Sequence, residues 1–141
     1  ANGYARLAEA LASQGRQAEA LQAARDAWSA SGLSAADEIA LYQRFGGSFT
    51  RADHDRRIDR LLIDRDPTDA QRMLPSASAA RRPAFAARVA MQLRSPDTEA
   101  LYNAVIGQVT TDAGLMQDRA RYLRDANWES AARQLLARPH N

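Results

Sequence analysis

The chain has 141 residues, a formal net charge of +2 and a hydrophobic content of 45%, of which aromatic residues (6% of the chain) supply little. That length suits one domain with a substantial core, and the small charge argues against a nucleic-acid binder; the high pI, about 9.5, follows from every basic residue being Arg, which stays protonated to very high pH. The absence of Cys excludes thiol catalysis, thiolate metal sites and disulfides, and no apolar run approaches the roughly 20 residues of a membrane span.

Apolar spacing predicts a helix over 4–13, with Tyr4, Leu7, Ala8 and Leu11 on one face and a break at Gly15. A second helix, 17–30, places Ala20, Leu21, Ala24, Ala27 and Trp28 on one face and ends near Gly32. Ala8, Gly15, Ala20 and Ala27 fall where a tetratricopeptide-type hairpin needs close approach, a pattern that any antiparallel helix pair shares. Ser34 caps a third helix, filled by Ile39, Leu41, Tyr42 and Phe45 and ended by Gly46 and Gly47.

Thr50 caps the fourth helix, with Asp53 placed to complete a capping box. His54, Ile58, Leu61 and Leu62 form its buried stripe, and Asp53, Asp55, Arg56, Asp59 and Arg60 are expected on solvated faces. Asp53 and Arg57 are spaced as an i,i+4 pair worth about 0.3–0.5 kcal/mol on a surface. Pro67 is expected to stop this helix and Thr68 to cap a short one over 69–74, before a loop at 76–82.

Pro83 can open the next helix, with Phe85, Val89 and Leu93 inward. Ser95 and Pro96 are expected to start another, striped by Leu101, Tyr102, Val105 and Val109. Thr110 or Thr111 caps a helix reaching Arg124, with Leu115, Tyr122 and Leu123 inward. Asn127 is expected to cap a last one, with Trp128, Ala132, Leu135 and Leu136 on one face and Pro139 at its end. This makes about nine short helices and no alternating strand pattern. The fold expected is all-α, a right-handed α-superhelix of short antiparallel helix pairs, tetratricopeptide-like, as one superhelical domain over 1–141 or an excerpt of one.

Two segments carry a family resemblance. Phe45, Thr50, Asp53, His54, Arg57, Asp59, Leu61 and Leu62, followed by Ala70, Arg72, Met73 and Leu74, resemble FxxxLTxxDHxxRxDxLLW and AxRML of soluble lytic murein transglycosylases, in their superhelical, non-catalytic domain. Ile63 stands where the family has Trp, and Phe49 where it often has Leu. Asp112, Gly114, Leu115, Asp118, Arg119, Arg121, Leu123 and Arg124 are similar to that domain's DxGLxxDRxRWLR, with Tyr122 for Trp, and Asn127 to Pro139 to its NxxxAAxxLLxxP continuation. The resemblance runs from about Ala5 to Pro139. It implies a periplasmic parent enzyme that cleaves the MurNAc–GlcNAc β-1,4 bond of peptidoglycan to 1,6-anhydro products. The superhelix would then be a scaffold beside a lysozyme-like catalytic domain, with that domain and any signal peptide outside this chain. The partners so implied are that domain and, through the parent, peptidoglycan strands.

The family's catalytic domain works with one Glu in a Glu-Ser dipeptide, followed by Gly-Leu-Met-Gln. Both strings occur here, at Glu129-Ser130 and Gly114 to Gln117, but in reversed order, and each reads as an ordinary part of a helix. No catalytic residue is assigned among Glu9, Glu19, Glu38, Glu99 and Glu129. His54 reads as a core histidine and His140 as a tail residue, too far apart in pattern to make a metal site. Asp53, Asp55 and Asp59 are interleaved with Arg56, Arg57 and Arg60 and lack a calcium-loop pattern. Arg81, Arg82, Arg88 and Arg94 form at most a small basic patch. No metal, cofactor or nucleic-acid partner is therefore expected. The alternative from another functional class is a tetratricopeptide-like adaptor that binds a peptide in a concave groove.

Overall fold

The computed structural model describes residues 2–137, without the side chains of Asn2 and Tyr4. The expectations for the Tyr4 side chain, Pro139 and His140 lie outside the described residues. Among those described there are eight α-helices, three short 3₁₀ turns and no strand, so the chain is all-α. The helices divide into two compact units, residues 1–82 and 83–141.

The first unit holds α1 (Asn2–Ser13), α2 (Gln17–Trp28), α3 (Ala35–Phe45), α4 (Arg51–Ile63) and α5 (Pro67–Met73). Helices α1 and α2 pack along each other. Gly15 adopts the left-handed conformation, φ +75°, which only Gly reaches without strain, and Arg16 N–H donates to the Leu11 carbonyl at 3.0 Å across the turn. Ala8, Ala20, Ala24 and Ala27 are wholly buried; side chains no larger than methyl let the two backbones approach.

Ser34 caps α3 by accepting from Asp37 N–H, and Thr50 caps α4 in a complete capping box with Asp53. Helix α4 ends at Ile63, before Pro67, with Arg65 at φ +61° and Asp66 N–H donating to the Leu61 carbonyl at 2.8 Å. Pro67 starts α5 instead of stopping α4: its missing N–H falls where a helix has no partner to offer. The cap of α5 is Asp66, which accepts from Asp69 N–H at 3.2 Å, rather than Thr68.

The second unit comprises α6 (Arg82–Leu93), which opens at the division, α7 (Thr98–Asn103) and α8 (Ala113–Ala137). Ala84, Ala87 and Met91 of α6 pack with Tyr102, Val105 and Leu115, and Leu101, Val109 and Tyr122 cover this core in part. Ser95 does not cap with its hydroxyl. Its carbonyl accepts from Thr98 Oγ1 at 2.6 Å, and α7 begins two residues later than expected, at Thr98. Asp112, not Thr110 or Thr111, caps α8, accepting from Leu115 N–H at 3.0 Å.

The largest departure is at Asn127, which caps nothing: α8 runs unbroken for 25 residues. No Gly or Pro lies between Gly114 and Pro139, so nothing ends the helix, and an Asn inside it costs only a few tenths of a kcal/mol. Leu123, Trp128, Leu135 and Leu136, expected inward, are exposed, as are Leu7 and Leu93. Leu61 is only half-buried, whereas its neighbour Leu62 is fully buried.

Candidate functional site

Helix α4 is the hub of the first unit. Its expected solvated face is instead partly interior: Asp53, Asp55 and Arg57 are buried beside His54, Ile58 and Leu62. Asp53 accepts from Thr50 N–H at 2.7 Å and from Arg25 Nε of α2 at 3.2 Å, and also pairs with Arg56. Burial alone would raise the Asp53 carboxyl. The hydrogen bonds from Thr50, with Arg25 and Arg56, outweigh that and hold it below its ordinary value. Asp55 accepts from Ser78 N–H at 2.8 Å, which ties the 74–78 turn to α4. Arg57 donates to the Trp28 carbonyl at 3.2 Å, pairs with Glu38 of α3, and lies 4.7 Å from the Trp28 ring centroid. The expected Asp53–Arg57 pair is therefore absent; each finds a partner on another element.

These ties frame a cleft of about 240 Å³ among α2, α3, α4 and α5. Trp28 and Tyr42 form one wall, with ring centroids 5.7 Å apart and planes 28° from parallel. Phe49, 5.0 Å from Trp28 centroid to centroid, backs the cluster. Tyr42 can lie over the end of α3 because residue 46 is Gly: a Cβ there would come within 2.7 Å of the Tyr42 ring. Ile39 and Met73 add apolar surface, while Glu38, Gln43, Arg72 and Ser76 bring polar groups to the lining. Arg72 pairs with Glu38 at 2.9 Å, so the charges at the cleft are already matched.

His54 also lines the cleft. Its Nδ1 accepts from Trp28 Nε1–H at 3.3 Å, so the proton of the neutral imidazole sits on Nε2. Burial lowers the His54 pKa; Arg51 and Arg57 lower it further, against Asp53 and Asp55. The ring is therefore neutral at pH 7, and no described residue accepts from Nε2.

No family model, curated protein or solved structure matches this chain.

The five glutamates do not converge. Glu9 pairs with Arg44, Glu19 with Arg16, Glu38 with Arg57 and Arg72, Glu99 with Arg119, and Glu129 with Arg94. The Glu99 and Glu129 carboxyls are held below their ordinary value by hydrogen bonds from Arg119 and Arg94 respectively. Glu129 lies in the middle of α8 and not in the first turn that a cap at Asn127 would give it, and its lowered pKa comes from Arg94. Gly114, at the other dismissed string, lies against the Arg88 guanidinium, where a Cβ would come within 2.6 Å of Cζ. Arg88 is buried on Asp118, with Nε donating at 2.8 Å, and is unavailable to a basic patch. No cluster of metal-ligating groups occurs among the described residues, and no described helix is long and apolar enough to cross a membrane.

What sequence reasoning missed is the cleft. Ile39 and Tyr42, expected to fill the core, are both more than half exposed, at the mouth of the cleft. The available signal was the width of the apolar arc on α3: positions 39, 41, 42 and 45 cover more of the helix than one neighbour can bury.

Proposed function

We propose that this chain is a non-catalytic, superhelical scaffold segment of a periplasmic soluble lytic transglycosylase that degrades peptidoglycan. The observation that carries the reading is that several polar letters of both resembling segments turn inward: Asp53 and Arg57 in one and Asp118 in the other are buried and ion-paired, and His54 is buried against Trp28, while Arg72, Arg121 and Arg124 stay exposed. Polar positions that serve packing suit a scaffold. Support for the non-catalytic role comes from the glutamates. Lytic cleavage needs a carboxyl that protonates the leaving oxygen and then takes the C6 hydroxyl proton, which calls for a raised pKa. Glu99 and Glu129 are instead held below their ordinary value by Arg119 and Arg94, and Glu9, Glu19 and Glu38 are each engaged in an ion pair with Arg.

The test is to incubate purified peptidoglycan with the isolated chain and with the native polypeptide that carries it, then look for 1,6-anhydromuropeptides by mass spectrometry. The expected result is product from the native polypeptide and none from the chain. Product from the chain that is lost in Glu129→Gln overturns the scaffold reading, and so does a native polypeptide that yields none.

The Ala-lined α1–α2 hairpin favours a second reading, a tetratricopeptide-like adaptor for a peptide partner. That reading requires a native polypeptide that binds peptide and leaves peptidoglycan uncut.

A further inference from the structure

The geometry points to the Trp28–Tyr42–His54 cleft as a binding site for one N-acetylated hexosamine unit of a glycan. This deepens the scaffold reading and rests on it for the source of the sugar.

Size comes first. At about 240 Å³ the cleft is smaller than the roughly 300–1,000 Å³ that drug-sized ligands occupy, so it admits one ring or one side chain. Shape comes next. The Tyr42 ring is 52% exposed and is braced from behind by Trp28 and from below by the bare backbone of Gly46. It is a fixed apolar plate, which suits the C–H face of a pyranose.

Polarity separates a sugar from an apolar side chain. Glu38, Gln43, Arg72 and Ser76 all reach the lining. Glu38 and Arg72 already hold each other, but an aliphatic side chain seated there would desolvate Gln43 and Ser76 with nothing in return, and each unpaired buried polar group is unfavourable. Ring hydroxyls, which both donate and accept, serve both. The Glu38–Arg72 pair also leaves the cleft with no net charge to attract a phosphate or an ammonium.

The donor on His54 sets the substituent. Its Nδ1 is occupied by Trp28, its Nε2–H has no acceptor among the described residues, and its side chain is more than nine-tenths buried. An acetamido group offers Nε2–H an acceptor in its carbonyl oxygen, while its methyl meets the apolar wall of Trp28, Tyr42 and Met73.

The experiment is a ¹H–¹⁵N NMR titration of the full 141-residue chain with a β-1,4-linked N-acetylglucosamine tetramer, its unacetylated counterpart, and a short Leu-bearing peptide. The acetylated tetramer should move the Trp28 indole and His54 imidazole resonances and leave the Trp128 indole in place. The unacetylated tetramer should bind at least tenfold more weakly. Tyr42→Ala, at an exposed position that does not threaten folding, should weaken binding at least tenfold, and His54→Gln should remove the preference for the acetyl group. Equal binding of the two tetramers, movement at Trp128 alone, no movement, or binding of the peptide in place of the sugar each overturns the assignment. If the native polypeptide still releases 1,6-anhydro products in any of those cases, only the cleft assignment fails. If it releases none while the tetramer binds at Trp28, the scaffold reading fails and the site stands.

Discussion

Helices α4 and α8 are both rich in charge and each carries one of the two resembling segments, yet they bury their side chains in opposite ways. Helix α4 is interior on a wide arc that includes Asp53, Asp55 and Arg57. Helix α8 buries only Leu115 and Asp118, and everything after Asp118 is exposed or half-exposed. In α4 partners arrive from three elements: Arg25 on α2, Glu38 on α3 and Ser78 after α5. In the second half of α8 the apolar residues Trp128, Leu135 and Leu136 meet no packing element among the described residues. Whether a side chain is buried is thus decided by what stands opposite it, and a charged residue with partners goes inside more readily than a leucine without them.

Removal of a buried partner should have the largest effect. Asp118→Ala leaves the Arg88 guanidinium, 2% exposed, without its carboxylate and should cost about 3–5 kcal/mol, read from urea unfolding. A small loss there would mean that the second unit is not organised by this pair. The next largest effect separates two adjacent leucines of α4. Leu62→Ala should cost about 2–5 kcal/mol, and Leu61→Ala clearly less because Leu61 is only half-buried. Equal losses would show the helical phase to be wrong.

A smaller effect is the pH dependence of the Trp28–His54 bond. The folded pKa of His54 lies below its ordinary 6.5, so the unfolded chain takes up the proton first. Stability is full above about pH 6.5 and should fall as pH drops from there toward the folded pKa, because a protonated Nδ1 cannot accept from the indole. Melting temperatures measured between pH 7.5 and 5.5 should decline in the parent chain and flatten in His54→Gln. The smallest effect is expected on α8, where Leu136, 81% exposed, should tolerate Leu136→Ala within about 0.5 kcal/mol. A large loss in thermal unfolding would reveal a hidden packing partner.

Much of the fold was legible because its signals are local. The Thr50 capping box, the Ser34 cap and the Gly15 turn each need residues only a few positions apart. The boundary errors arose where one residue sends two messages. Pro67 both ends and begins helices, and Asn127 is a good cap that no breaker compelled into use. The cleft and the buried charges were not legible, because Arg25 and Asp53, or Arg57 and Trp28, lie 28 and 29 residues apart. No periodicity within one helix can announce a partner on another.

Arg65 and Arg94 follow the ends of α4 and α6 with φ of +61° and +57°, and in each case the next residue's N–H reaches back to close the helix, Asp66 to Leu61 and Ser95 to Ala90. A side chain in this conformation is disfavoured by roughly 1–2 kcal/mol, so the molecule sits below its own stability optimum at two places, neither of which lines the cleft. Engineering can use that reserve. Arg65→Gly should raise stability by about 0.5–1 kcal/mol once the greater freedom of glycine in the unfolded chain is set against the relief of strain, giving a sturdier background on which a damaging cleft variant can still be studied folded.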